Sequence, residues 1–311
     1  MAYRHIPVLL NEVLEGLSIK TGTYIDCTLG GGGYTFAIAK KLKDKGRVIA
    51  IDADELAIKN AQKIIQEEGI DNVILVHNNF RDLAEIALEH ADNKVSGIVF
   101  DLGLSSAQLE DDSRGFSFQS NRPLDMAFGI SSQKSTVSLL KTASVPGLSR
   151  IFREYGEEPK AYRLAKAIDA TRKEKKIKST GDLLDIITKN LPARARNEKV
   201  HPATKIFQAL RMATNDEINS LEIALKAIPD ILVKGGKMAV VSFHSGEDRV
   251  VKNYLRQESK DCICPPSVPL CVCNHQANFK ILNKKPIIAS MEEVDDNPRS
   301  RSAKLRLAER I

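Results

Sequence analysis

Between Asp26 and Gly33 the chain reads Asp-Cys-Thr-Leu-Gly-Gly-Gly-Gly, directly after the apolar pair Tyr24-Ile25 and directly before a helix-like stretch that begins at Tyr34. Four consecutive glycines let the backbone bend sharply and approach a ligand without Cβ clashes. The free N–H groups that open the next helix attract an anionic group. Strand, glycine turn and helix in that order point to an α/β architecture, with either a nucleotide-type ligand at the turn or a bare structural turn.

Spacing bears on which ligand that is. The dinucleotide fingerprint requires Gly-x-Gly-x-x-Gly; Gly30 and Gly32 are in place, but the third position falls on Thr35. A dehydrogenase therefore fits only if the turn is read alone. Asp26, four positions before the first glycine, suits S-adenosylmethionine (SAM), whose methionyl end offers an ammonium group to a carboxylate and a carboxylate to the helix N-terminus. The following segments keep the pattern. Residues 47–52 form an apolar run ending in Asp52, about twenty residues past the glycines, from where a carboxylate takes both ribose hydroxyls. A helical pattern over 54–68 leads to a strand at 72–77 and to Phe80, read either as an adenine contact or as ordinary core. A fourth strand over 95–101 ends in Asp-Leu-Gly-Leu-Ser-Ser. Asp26, Asp52, Phe80 and Asp101 are expected to converge beyond the carboxyl ends of these strands.

The alternation stops after Ser106 and resumes near Ala213. Residues 111–129 are turn-rich, and helical patterns follow at 136–140, 147–155, 160–171 and 180–189. A structureless loop of that length is improbable, so residues 107–212 are expected to form an inserted, mainly helical domain that grips substrate. The cofactor-binding core is then discontinuous, over residues 1–106 and 213–311. No run approaches the roughly 18 apolar residues of a membrane helix, and the start Met-Ala-Tyr-Arg-His lacks a signal-peptide core, so a cytoplasmic location is expected. The excess of 46 basic over 40 acidic residues is mild, but it is clustered. Residues 172–178, then Arg194, Arg196 and Lys199, and the tail from Arg299 to Arg310 are candidate phosphate contacts.

Nine motifs in one order make the resemblance specific: His5-Ile-Pro-Val-Leu-Leu-Asn-Glu, Asp26-x-Thr-x-Gly-x-Gly-Gly, Asp101-Leu-Gly-Leu-Ser-Ser-x-Gln-Leu, Arg114-Gly-Phe-Ser-Phe, Pro123-Leu-Asp-Met, Tyr155-Gly-Glu-Glu, His201-Pro-Ala-Thr-Lys-x-Phe-Gln-Ala-Leu-Arg, Ser242-Phe-His-Ser-x-Glu-Asp-Arg and Asn297-Pro-Arg-Ser-Arg-Ser-x-x-Leu-Arg. Essentially end to end, the chain resembles the MraW family, also called RsmH, bacterial methyltransferases that modify the N4 amine of a decoding-centre cytidine in 16S rRNA. The resemblance implies a Rossmann-like class I SAM-dependent methyltransferase sheet with an inserted helical domain. It implies 16S rRNA in the small ribosomal subunit as partner, no membrane, and leaves a homodimer open. It places SAM contacts on Gly32, Gly33, Tyr34, Asp52, Phe80, Asp101 and Gln108. Tyr34 departs from the usual histidine; Gly246 and Ala127 stand where a larger apolar residue and an arginine are common.

The acceptor sets the chemistry. Cytosine N4 is a poor nucleophile because its lone pair is delocalised into the ring, whereas a sulfonium methyl group is already activated. Placement matters more than a strong base, and acceptors for the amine hydrogens favour the pyramidal nitrogen of the transition state. Asp101, Asp125 and His244 are the candidates, with a buried, hydrogen-bonded histidine the other reading of His244. The base must be unpaired and splayed out, and Phe116 or Phe118 are candidates to hold it unless both are core.

Cys27 stands alone, but Cys262-x-Cys264 and Cys271-x-Cys273 place four thiols in twelve residues. In a cytosolic chain that pattern favours metal over disulfides, and tetrahedral zinc is set against a flexible thiol-bearing loop. Nothing places these thiols beside the glycine turn, which argues against a nucleophile. Two other functions stay in view. A DNA amino-methyltransferase normally carries a Pro-Pro-aromatic motif where this chain has Asp-Leu-Gly-Leu. A non-catalytic ribosome-assembly RNA-binding factor would have no need of Asp26, Asp52 and Asp101.

Overall fold

The computed structural model of the chain describes residues 7–105, 114–129, 135–190, 201–265, 267–268 and 270–311. Two compact units are present, one formed by Met1–Gly103 with Asn219–Ile311 and the other by Leu104–Ile218.

The first unit carries a seven-stranded sheet: β1 Gly22–Asp26, β2 Gly46–Asp52, β3 Val73–His77, β4 Val95–Asp101, β5 Leu232–Ser242, β6 Phe279–Ile281 and β7 Lys304–Arg310. Their spatial order is β3-β2-β1-β4-β5-β7-β6. Strands β1 to β5 pair in parallel, and β7 runs antiparallel to both β5 and β6. The order reverses between β1 and β4, the switch point where open α/β sheets open a crevice for ligands.

Helices α1 Leu10–Leu17, α2 Gly33–Leu42, α3 Glu55–Glu68, α4 Leu83–Ala91, α10 Glu217–Ile231, α11 Ser245–Glu258 and α12 Met291–Asp296 accompany this sheet, numbered to leave α5 to α9 for the second unit. Strand periodicity divides the core. Ile25, Ile49, Ile51, Ile98, Phe100, Met238 and Val240 face one side, packing with α4, α10 and α11 residues. Their neighbours Tyr24, Val48, Val99, Ala239 and Val241 face the other, with residues of α1, α2 and β7. Each fully buried side chain of this size stabilises the fold by about 1.5–3 kcal/mol. The helices are delimited by local chemistry: Asp54 caps α3 by accepting the Leu56 N–H at 3.0 Å, and Gly69 ends it at φ 64°.

The second unit contains α5 Thr136–Thr142, α6 Val145–Glu154, α7 Ala161–Glu174, α8 Thr180–Asn190 and α9 Pro202–Thr214 around its own core, centred on Leu148, Phe152, Leu164, Ile187 and Leu210. Helix α9 was not anticipated. Its signal lies in the His201-Pro202 pair: His201 Nδ1 accepts the Ala203 N–H at 3.2 Å and Pro202 takes the first turn. Phe116 is buried in this core, which removes it as a base-holding surface, while Phe118 is half-buried with its ring 5.2 Å from those of both His201 and Phe207.

The basic clusters are partly structural. Arg172 donates to the carbonyls of Leu140 and Ala143 at 2.7 Å and to Asp169 at 2.6 Å, fastening the end of α5 to α7. Arg306 pairs with Asp248, and Arg310 donates to the carbonyls of Pro229 and Asn278. These three are therefore committed to contacts within the fold. Arg194, Arg196 and Lys199 lie outside the described residues. Among the described residues no helix is long and apolar enough to cross a membrane.

Candidate active site

The glycine turn is shaped by two demands. Gly32, the N-cap of α2, sits at φ 80°, and a Cβ on Gly33 would come within 2.1 Å of Pro7 Cγ. Only glycine meets both. The N–H groups of Gly33 and Tyr34, in the first turn of α2, have no acceptor among the described residues, so this helix N-terminus is available to an anion.

Asp26 holds the turn from beneath. It is fully buried, with Oδ1 accepting the Thr28 N–H at 3.1 Å and Oδ2 accepting the Thr35 hydroxyl at 2.6 Å. Burial raises its pKa despite these bonds. The sequence reading of Asp26 as partner of a methionyl ammonium is thereby corrected, because the carboxylate reaches no surface. Thr35, which breaks the dinucleotide fingerprint, is the residue that satisfies it.

Asp52 stands at the carboxyl end of β2. Its Oδ2 accepts the Gly30 N–H and its Oδ1 the Asp54 N–H, both at 2.8 Å. A carboxylate oxygen has two lone pairs, so each retains one for a ligand hydroxyl. Burial pushes Asp52 up to about 6. Phe80 follows β3 and meets Phe100 edge to face, with centroids 5.7 Å apart and planes at 84°. It is half-buried: one side of the ring packs on the core and the rest is accessible.

Asp101 closes β4, beside β1 at the switch point. The Thr28 hydroxyl accepts its N–H at 2.6 Å, which ties its backbone to the same turn. Its Oδ1 is buried and has no hydrogen-bond partner among the described residues. Burial, with the charges of Asp26 and Glu247 behind it, pushes the Asp101 carboxyl well above the usual range. A group so placed favours a cation or an N–H donor as neighbour.

Tyr34 is buried, and its hydroxyl donates to the Val8 carbonyl. Burial and the nearby Asp101 and Asp26 charges raise its pKa strongly, so it stays a neutral donor committed to Val8. What Tyr34 presents to a ligand is its backbone N–H. His244 caps α11: Nδ1 accepts the Gly246 N–H at 3.0 Å, and Glu247 Oε2 accepts the N–H groups of Phe243 and His244 at 3.0 and 3.1 Å. With Nδ1 accepting, Nε2 is the ring nitrogen outside the cap. That commits Nδ1 of His244 to the helix cap and shows why glycine fits at 246, where a Cβ would press to 3.0 Å from Nδ1. Asp125 belongs to the helical unit; its carbonyl accepts the Thr136 N–H at 2.9 Å and hydroxyl at 2.8 Å. Gln108 lies outside the described residues. Thr28 and Glu247 are structural members of the site that sequence reasoning did not single out. The Asp-x-Thr pattern and the acid three residues after His244 were their signals.

A parallel sheet ordered 3-2-1-4-5 with an antiparallel strand beyond it, a glycine turn after β1 and acids ending β2 and β4 define the Rossmann-like class I fold of SAM-dependent methyltransferases. Comparison with known proteins narrows the class. The model of the MraW methylase family matches residues 2–311. The ribosomal RNA small subunit methyltransferase H of Heliobacterium modesticaldum is 45% identical over 313 residues, covering 100% of both chains. The protein of the same name from Clostridioides difficile is 42% identical over 312 residues, again covering 100% of both. The chain belongs to the MraW methylase family.

Proposed function

We propose that this protein transfers a methyl group from SAM to the N4 amine of a decoding-centre cytidine in 16S rRNA of the small ribosomal subunit. The observation that carries the reading is Asp101 at the switch point: its Oδ1 has no hydrogen-bond partner among the described residues, and unlike the fully buried Asp26 the residue is only half-buried. The names of the relatives support ribosomal RNA of the small subunit as substrate. The N4 position rests on the family resemblance and on the fit of an amine to that oxygen.

The residues suit the cofactor. The Gly33 and Tyr34 N–H groups receive its carboxylate, Asp52 its ribose hydroxyls and Phe80 its adenine edge. Bound SAM supplies an electrophilic methyl group. The protein's own contribution is orientation and proton handling. Asp101 accepts a hydrogen from an amine through Oδ1, either holding the cofactor's ammonium or drawing on N4 as its nitrogen pyramidalises. Burial and the charges of Asp26 and Glu247 raise its pKa, so the carboxylate holds a donated hydrogen more tightly than an exposed one would. Asp125 is the second acceptor in this reading, and the helical unit Leu104–Ile218 is assigned to gripping the RNA. A structural zinc ion at the four cysteines belongs to the reading as a ligand outside the reaction.

Incorporation of tritium from methyl-labelled SAM into small-subunit RNA tests the proposal. Label is expected in wild-type RNA and absent when the target cytidine is replaced by uridine. Lack of incorporation into naked RNA, assembly intermediates and complete subunits alike would refute it.

A further inference from the structure

Between α11 and β6 the chain makes an excursion, residues 259–277, in which no described residue is buried. A segment of this length with no core of its own normally has many conformations. Here its ends are tied: the Asn278 N–H donates to the Glu258 carbonyl at 2.8 Å and the Asn278 amide to the Glu258 carboxylate at 2.7 Å. Inside the excursion the exposed side chains of Ile263, Leu270 and Val272 contribute no packing; Leu270 is 78% accessible. Yet the sulfurs of Cys262, Cys264, Cys271 and Cys273 all lie within 4.8 Å of one another.

The spacing of these sulfurs is that of a metal site. Two of the separations are 3.5 and 3.8 Å, far beyond a disulfide bond. A zinc ion with Zn–S bonds of about 2.3 Å at the centre of a tetrahedron sets its sulfurs about 3.8 Å apart. Backbone N–H groups also point at the sulfurs: Ile263 to Cys273 at 3.5 Å, Cys264 to Cys262 at 3.4 Å and Val272 to Cys264 at 3.5 Å. Such donors stabilise thiolates, as partners around the ligands of a metal do.

We infer that one Zn²⁺ bound by these four cysteines is the element that orders residues 259–277, taking the place of the hydrophobic core this excursion lacks. The inference builds on the zinc assignment above and is independent of methyl transfer. Binding replaces four S–H bonds with four Zn–S bonds and releases four protons to solvent, leaving a site of net charge −2 partly offset by the N–H donors. Four protein ligands leave no open position, so the ion is structural. Its place agrees: α11 runs about 20 Å from its His244 end to the Glu258 end where the excursion starts. Because the ends are tied to each other, loss of the ion is expected to release this segment and no more.

The test uses the full chain, purified without metal-affinity steps. Elemental analysis is expected to find one zinc per chain, falling to background in the Cys262→Ser/Cys273→Ser double variant. Cobalt substitution is expected to give the intense thiolate charge-transfer bands of a tetrahedral four-sulfur site. Hydrogen exchange before and after chelation is expected to show protection lost over residues 259–277, with β7 and α11 unchanged and chymotryptic cleavage appearing at Leu270. Zinc bound with unaltered exchange on chelation overturns the ordering role alone. Absence of zinc with four free thiols, or two disulfides by intact mass, overturns the metal site itself. Methyl transfer by the double variant, measured separately, is expected to match wild type, so failure here is distinct from failure of the proposed activity.

Discussion

Asp52 Oδ2 accepts the Gly30 N–H at 2.8 Å, so the acid that ends β2 clamps the glycine turn that follows β1. Under the proposed function, cofactor affinity and turn geometry depend on this one carboxylate. Asp52→Ala is expected to weaken SAM binding by about a hundredfold, the loss of two charge-assisted hydrogen bonds. Titration calorimetry measures it, and an unchanged affinity would remove Asp52 from the site.

The same carboxylate predicts a pH dependence. Burial raises Asp52 from 3.8 to about 6, so the folded, ligand-free protein binds a proton more tightly than the unfolded chain. Stability contributed by this group is therefore full below 3.8 and declines as pH rises through about 6. Ribose hydroxyls donate best to the ionised form. SAM affinity should accordingly fall by about tenfold per pH unit below that value and level off above it.

Thr35 is expected to matter through Asp26 alone. Thr35→Val removes the hydroxyl that satisfies Oδ2 of a fully buried carboxylate, which costs about 1–3 kcal/mol. Thr35→Ser keeps the donor and should remain near wild type. Urea denaturation of the two variants separates this from a simple loss of volume, which would affect serine more than valine.

Asp101→Asn should dissociate stability from activity. The raised pKa of Asp101 means that its ionised form is penalised in the ligand-free fold, first by burial and then by Asp26 and Glu247. The variant is expected to melt at higher temperature than wild type in alkaline buffer, with the difference shrinking as pH falls and the wild-type carboxyl protonates. Methyl transfer is expected to fall by about a hundredfold or more. A variant both less stable and fully active would contradict the assigned role.

Arg306→Ala tests the rear of the sheet. Arg306 Nε lies 2.6 Å from Asp248 Oδ1, both side chains largely buried, and removing Arg306 leaves the Asp248 carboxylate with the longer pairing to Lys304 Nζ at 3.6 Å, at a cost of about 3 kcal/mol. Burial raises Asp248, but the hydrogen bond and charge of Arg306 outweigh it and hold the carboxyl below its usual value. Its stabilisation is present above 3.8 and lost as pH falls through the lower folded value. Thermal melts should thus lose the difference between wild type and Arg306→Ala in strong acid.

The sheet and its ligand-facing edge were legible because strand ends and turns are local. The parallel strands ending at Asp26, Asp52, His77 and Asp101 are read from apolar runs closed by polar residues. Strands β6 and β7 were not read, since Phe279–Ile281 is too short to show a period and Lys304–Arg310 carries charges that pair only across the fold. Arg306 looks like a nucleic-acid contact until Asp248, 58 residues away, is seen beside it.

By itself the sequence determined the class of fold, the place of the glycine turn, the family and the four-cysteine set, because each is written in residue type and short spacing. Tertiary structure alone decided what each polar group faces. Asp26 turned inward to Thr28 and Thr35, His244 became a helix cap, the Tyr34 hydroxyl went to Val8, and Asp101 kept one oxygen without a partner among the described residues. Hydrogen bonds saturate and act over about 3 Å, so whether a carboxylate holds the fold or awaits a ligand depends on neighbours that only folding brings within that distance.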